Sequence, residues 1–183
     1  VTVTSTYDPT TRLLTALTDG AGKTTTYEYD TAGRPTKVTT PEGRESTTTY
    51  DAAGRVLTTT APDGGVTTLT YDDAGKVLTA TDPTGATTTN TYDGPTGRLL
   101  SSAKPGHAPT TYTYDALGQL TKITDPTGEA VETTYGVLGR VTSTKDSAGR
   151  VTTYGYTPTG EIATVTAPDG GVTTKTYDPV TGK

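Results

Sequence analysis

Nine tyrosines set the ruler of this chain. Tyr7, Tyr29, Tyr50, Tyr71, Tyr92, Tyr114, Tyr135, Tyr156 and Tyr177 stand 22, 21, 21, 21, 22, 21, 21 and 21 residues apart. A fixed period in this range is the mark of a repeat array, in which each unit is one supersecondary element that neighbouring units must cover. The stretch 50–72, YDAAGRVLTTTAPDGGVTTLTYD, shows the plan. It holds a Tyr-Asp pair, a Gly-Arg turn, a Thr-rich run, a Pro-Asp-Gly-Gly turn, a second Thr-rich run and the next Tyr-Asp. The copies leave no room for a separate domain. Residues 1–183 therefore read as a single array of about eight repeats, cut at both ends from something longer.

Two turns punctuate each copy. The first carries Gly33-Arg34, Gly54-Arg55, Gly75-Lys76, Gly97-Arg98, Gly118-Gln119, Gly139-Arg140 or Gly160-Glu161. The second carries Pro41-Glu42-Gly43, Pro62-Asp63-Gly64, Asp82-Pro83-Thr84-Gly85 and their kin, with 104–109 the one irregular member. Proline presets φ at the first corner and glycine supplies positive φ later, so these are turns with a physical cause. Between them lie runs of five to seven residues rich in Thr, Val and Tyr, the length and composition of strands. Short turns force sequential strands to pair, which gives an all-β fold: a long antiparallel meander, spiralling as a curved sheet in a shell segment or solenoid. In the first copy, Thr11 is read at the place of the later glycines. The strand 13–18 is read as one residue longer than its counterparts, with a bulge.

Composition limits what such a sheet can bury. Only 30% of the residues are apolar, and Phe, Trp, Met and Cys are absent. The aliphatic column Val56, Val77, Leu99, Leu120, Val141 and Ile162, two residues after each turn glycine, is expected to form a narrow seam with the tyrosines. Most other strand positions are Thr on both faces, and a sheet polar on both sides cannot pack a solid sandwich. A net charge of −5 argues against nucleic acid as a partner, and no apolar run is long enough for a membrane helix. The lack of cysteine excludes a disulfide framework and thiolate metal sites.

The motif residues are Tyr29, Asp30, Gly33, Arg34; Tyr50, Asp51, Gly54, Arg55; Tyr71, Asp72, Gly75; Tyr92, Asp93, Gly97, Arg98; Tyr114, Asp115, Gly118; Tyr135, Gly139, Arg140; Tyr156, Gly160; and Tyr177, Asp178. The reading of them is structural. Asp accepts hydrogen bonds from turn amides, and Arg four residues later reaches its carboxylate. Arg also lies over the tyrosine of a neighbouring repeat, a cation–π contact worth about 0.5–1 kcal/mol. The copies at Gly136 and Thr157 lack the Asp yet keep the period, as a replaceable cap would. The single histidine, His107, sits in a loop between prolines, with no partner residues for a triad or a metal pair. The Asp-x-x-Gly turns lack the alternating carboxylates of a calcium loop. No catalytic residue, cofactor or metal is expected, and the chain is read as not an enzyme.

Tyr-Asp-x-x-Gly-Arg, a Thr-rich strand, Pro-x-Gly and Tyr-x-Tyr-Asp at this period resemble the YD repeat of the Rhs family, most closely at 29–51, 50–72 and 114–135. That family includes bacterial polymorphic toxins, shell components of insecticidal toxin complexes, and teneurins. The resemblance implies a β-sheet wrapped into a hollow shell, secreted or at a bacterial cell surface, with the remainder of a longer chain and an enclosed polypeptide cargo as partners. About eight repeats are too few to close such a shell, and the family's self-cleaving aspartate segment has no counterpart here. Near-identical copies leave open a fibre or adhesin that assembles with itself, and the tyrosine ladder a carbohydrate-binding module.

Overall fold

The computed structural model describes residues 2–177. Among the described residues there are seventeen strands and no helix. Two compact units divide the chain, Val1–Thr89 and Asn90–Lys183. The first unit holds β1 (Thr4–Tyr7), β2 (Leu14–Thr18), β3 (Thr24–Tyr29), β4 (Pro35–Thr39), β5 (Glu45–Tyr50), β6 (Val56–Thr60), β7 (Val66–Tyr71) and β8 (Val77–Thr81). Strand β9 (Thr87–Tyr92) carries the division. The second unit holds β10 (Leu99–Ala103), β11 (Thr110–Tyr114), β12 (Leu120–Thr124), β13 (Ala130–Tyr135), β14 (Val141–Lys145), β15 (Val151–Tyr156), β16 (Ile162–Thr166) and β17 (Val172–Thr174). Within each unit every strand pairs antiparallel with the next, so the expected meander is what forms.

The regular turns are of one kind. Gly33 N–H donates to Asp30 O at 3.0 Å, while Asp30 N–H donates to Arg34 O at 2.9 Å. This is a type I turn followed by a left-handed residue, a hairpin loop that needs glycine at its third position. Gly33 has φ 79°, and Gly43, in a second turn closed by Thr40 and Arg44, has φ 75°. The first turn of the chain departs from the expectation. Arg12, not Thr11, is left-handed, at φ 63°. Asp8 N–H closes onto Leu13 O, one residue further along than in the regular turns. The extra residue of the 22-residue interval therefore sits in this turn, and β2 has the same five residues as β4. The turn at 93–98 is built likewise, closing from Asp93 N–H to Arg98 O. The irregular turn at 104–107 is closed by His107 N–H on Lys104 O, with Gly106 at φ 73° after Pro105, the pattern of a type II turn.

A bulge recurs beside nearly every tyrosine rather than once. Thr49 pairs with Thr58 and Tyr50 with Val56, so Leu57 is the extra residue. The same skip leaves Thr15, Thr36, Leu78, Thr121, Thr142 and Ala163 unpaired. A bulge interrupts the ladder and leaves backbone groups in need of partners. Where the bulged residue is Thr, its hydroxyl can answer: Thr15, Thr121 and Thr142 Oγ1 donate to the carbonyls of Thr6, Thr113 and Thr134 at 3.1–3.2 Å.

None of the described residues is buried. Both faces carry some apolar surface, with Val66 and Val151 on the face away from the tyrosines. Two residues before each tyrosine, Tyr27 faces Val38, Thr48 faces Thr59 and Leu69 faces Ala80 in the first unit. In the second, Tyr112 faces Ile123, Thr133 faces Thr144 and Tyr154 faces Val165. Along this row each unit alternates apolar, polar and apolar pairs, a period of two repeats, beside a row of tyrosine–aliphatic pairs such as Tyr50 with Val56 and Tyr71 with Val77 that recurs in successive repeats. The opposite face is mostly Thr, with hydroxyls joined across strands at 2.6 Å in Thr49 with Thr58 and Thr70 with Thr79.

Candidate functional site: the staple between repeats

The motif residues converge at the first turns. Asp51 Oδ1 accepts from the amides of Ala53 and Arg55 at 2.9 Å, the Asx-turn geometry that an aspartate at the loop entrance favours. Its Oδ2 takes Arg55 Nε at 2.6 Å. Arg55 Nη1 then reaches the next repeat, donating to Asp72 O at 3.0 Å, while the guanidinium stands 4.7 Å from the Tyr71 ring centre. Tyr71 returns the link, its hydroxyl donating to Val56 O at 2.7 Å. One repeat is thereby fastened to the next by a ring stack and two hydrogen bonds to backbone, with the ion pair inside the turn steadying the arginine.

Asp30, Arg34 and Tyr50 repeat this geometry, with 2.6 Å for the ion pair and 4.7 Å for the stack. Lys76 serves Asp72 at 3.1 Å. Arg98 lies 5.7 Å over Tyr114 and Arg140 5.5 Å over Tyr156. The position closes on Leu13 in the first copy, Gln119 in the sixth and Glu161 in the eighth. At Glu161 the roles are exchanged: Thr157 Oγ1 takes the amides of Gly160 and Glu161, and donates to the Glu161 carboxylate.

The tyrosine hydroxyl is the most regular element. Tyr29, Tyr50, Tyr114, Tyr135, Tyr156 and Tyr177 donate to the carbonyls of Leu14, Pro35, Leu99, Leu120, Val141 and Ile162 at 2.7–3.0 Å. Each acceptor is the first residue of a strand, and in the paired copies it stands at the bulge. Sequence reasoning missed this bond, although one signal announced it: the chain has Tyr 12 times and Phe never. It also missed a second use of glycine. A Cβ on Gly54 would stand 3.2 Å from Arg34 Nη1, and one on Gly118 or Gly160 would collide with the guanidinium of Arg98 or Arg140. The turn glycine is a floor for the preceding repeat's arginine as well as a left-handed corner. Asp178, in the last copy, lies outside the described residues.

The electrostatics are those of a scaffold. The Asp30, Asp51, Asp72 and Asp146 carboxyls are held below the usual carboxylate range, first by the backbone amide four residues on and then by the Arg or Lys side chain there. Asp93 is lowered chiefly by the Thr96 hydroxyl. His107 is exposed, its Nδ1 2.9 Å from Pro105 O. Among the described residues no three or more His, Asp or Glu groups converge as metal ligands, and no helix could cross a membrane. The arrangement can hold strands in register.

The teneurin YD-shell family model matches residues 1–128, and the RHS repeat model residues 137–172. No curated protein matches the chain significantly. Among solved structures, the Photorhabdus luminescens Tc holotoxin pore is similar at 18% identity and a TM-score of 0.64, over 97% of this chain and 12% of that one. A TcdB2-TccC3-TEV structure is similar at 19% and 0.64, over 90% of this chain and 12% of that one. TcdB2-TccC3 without its hypervariable C-terminal region gives 18% and 0.62, over 96% and 12%. The chain spans 12% of the length of these relatives, and at such identity the likeness is one of fold.

Proposed function

The chain belongs to the teneurin YD-shell family, and from that premise we propose that it is a wall segment of an Rhs-type β-shell enclosing a toxin or other polypeptide cargo. Its role is structural, without catalysis of its own. The observation that carries this reading is a hydroxyl-rich, stapled meander in which no described residue is buried. Such a sheet draws its order from links between repeats instead of from a second layer, so it can stand with water on both sides. A wall around a passenger chain needs that property. It must contact a polypeptide without offering a continuous apolar surface to which the passenger would stick. The similar TcdB2-TccC3 structures include one with Cdc42 and one without the hypervariable C-terminal region, which supports a constant frame with an exchangeable passenger. The remainder of a longer parent chain completes the wall, in a secreted or cell-surface protein.

The uniformity of the repeats favours one other reading, a fibre extended by adding copies. Cryo-electron microscopy of the intact parent particle separates the two. A closed hollow body with density inside is expected; a continuous thin filament would replace the shell reading with the fibre.

A further inference from the structure

Eight first turns follow the tyrosines from Tyr7 to Tyr156, and seven have their amides capped by a side-chain oxygen. The turn at 136–140 does not. Gly136 stands where the others have Asp or Thr, and only two backbone bonds hold this loop: Gly136 N–H to Arg140 O at 2.8 Å and Gly139 N–H to Gly136 O at 2.9 Å. The loss is double, because Gln119 in the preceding turn puts no cation over Tyr135. Glycine at both ends also raises the entropy that closing the loop must overcome. At its tip, Val137 and Leu138 are 103% and 72% exposed, aliphatic side chains where turns ordinarily carry polar ones. The neighbouring turn supplies the comparison. Leu117 is 83% exposed, but its amide and that of Gln119 are bound by Asp115 Oδ1 at 2.9 and 2.8 Å.

We propose that the turn at 136–140 is a processing loop, the place where an endoprotease with a pocket for aliphatic side chains cuts the array. Proteases bind an extended segment, so a folded loop is cut at a rate set by how readily it opens locally. Bait is present at both Leu117 and Val137; the missing cap decides between them. Water adds across the peptide bond between Gly136 and Val137, or between Val137 and Leu138. The C–N bond breaks, the hydroxyl goes to the new carboxylate and the proton to the new amine. Strands β13 and β14 remain paired through Thr133 with Thr144 and Thr134 with Ser143 after the cut, so the array is nicked and not dismantled. The inference does not depend on the shell reading, since it concerns the array alone; if that reading holds, this is where the wall is opened.

The test is limited digestion of the folded chain by a metalloprotease that cleaves on the amino side of aliphatic residues, followed by intact mass. A first cut before Val137 or Leu138 is expected, giving two fragments that still migrate together without denaturant. Gly136→Asp should slow it roughly tenfold, the effect of restoring charged hydrogen bonds to the turn amides. A Cβ on Gly136 would stand 3.1 Å from Thr142 Cγ2, yet Asp30 and Asp115 already sit beside bulged Thr36 and Thr121, so the site accepts Asp. Asp115→Gly should open a second cut before Leu117. A first cut elsewhere, or Gly136→Asp digested at the unaltered rate, would overturn the proposal.

Discussion

Tyrosine differs from phenylalanine here by one hydrogen bond, and that bond joins one repeat to the next. Tyr71→Phe leaves the ring under Arg55 but removes the donor to Val56 O, a carbonyl at a bulge. The expected loss is about 1 kcal/mol, read as a lower urea midpoint with unchanged slope. Arg12 tests the backbone in the opposite direction. A non-glycine residue at φ 63° is disfavoured, while every other turn of the family plan has glycine there. Arg12→Gly should therefore raise stability by about 1 kcal/mol, visible as a higher melting temperature. Both effects are local, and neither touches the carboxylate network.

At the scale of the strands, the two-repeat alternation in the row two residues before the tyrosines keeps the apolar pads of that row apart. In the second unit, Thr133 facing Thr144 divides the pad of Tyr112 with Ile123 from that of Tyr154 with Val165. Replacing both with valine would fuse them. β-Branched apolar pairs fit a pleated surface, so the variant should gain about 0.5–1 kcal/mol in unfolding free energy. It should also self-associate with rising concentration in sedimentation velocity, because a continuous exposed apolar stripe invites partners. A variant that is more stable yet still monomeric would show that the alternation has another cause.

For the molecule as a whole, stability without a core must come from many exposed links, and this makes it sensitive to acid. The carboxyls of Asp30, Asp51, Asp72 and Asp146, ordinarily near 3.8, are depressed when folded. Glu132, ordinarily near 4.5, is depressed by Lys122 and then Lys145. A depressed carboxyl contributes stability that is present above its unfolded value and lost as pH falls through its folded one. The midpoint of urea unfolding should hardly change between pH 5 and 9, then fall steeply below about pH 4. Salt should weaken the high-pH plateau only slightly, since hydrogen bonds to turn amides, not long-range attraction, are the leading cause for these aspartates. Calorimetry offers an independent check: with so little apolar surface covered, the heat-capacity change should lie well below the roughly 12–15 cal/mol/K per residue of globular domains.

Period, turn residues and β-branched runs are local properties, so the sequence by itself determined the class of fold, the strand order and the antiparallel pairing. It also placed Asp30 with Arg34, because a spacing of four across a tight loop leaves few alternatives, and put the arginine over a tyrosine of a neighbouring repeat; the structure makes that ring Tyr50. Pairing register was another matter. Whether Thr49 meets Thr58 or Leu57 depends on where two strands settle against each other, and only the tertiary structure fixed the bulge there. With the bulge came the carbonyl that Tyr71 caps, and with the seated guanidinium came the second reason for glycine at Gly54. The misplaced left-handed corner in the first copy has the same origin. Thr11 and Arg12 are equally unlike glycine as letters, and closure of Asp8 onto Leu13 decides which of them must turn.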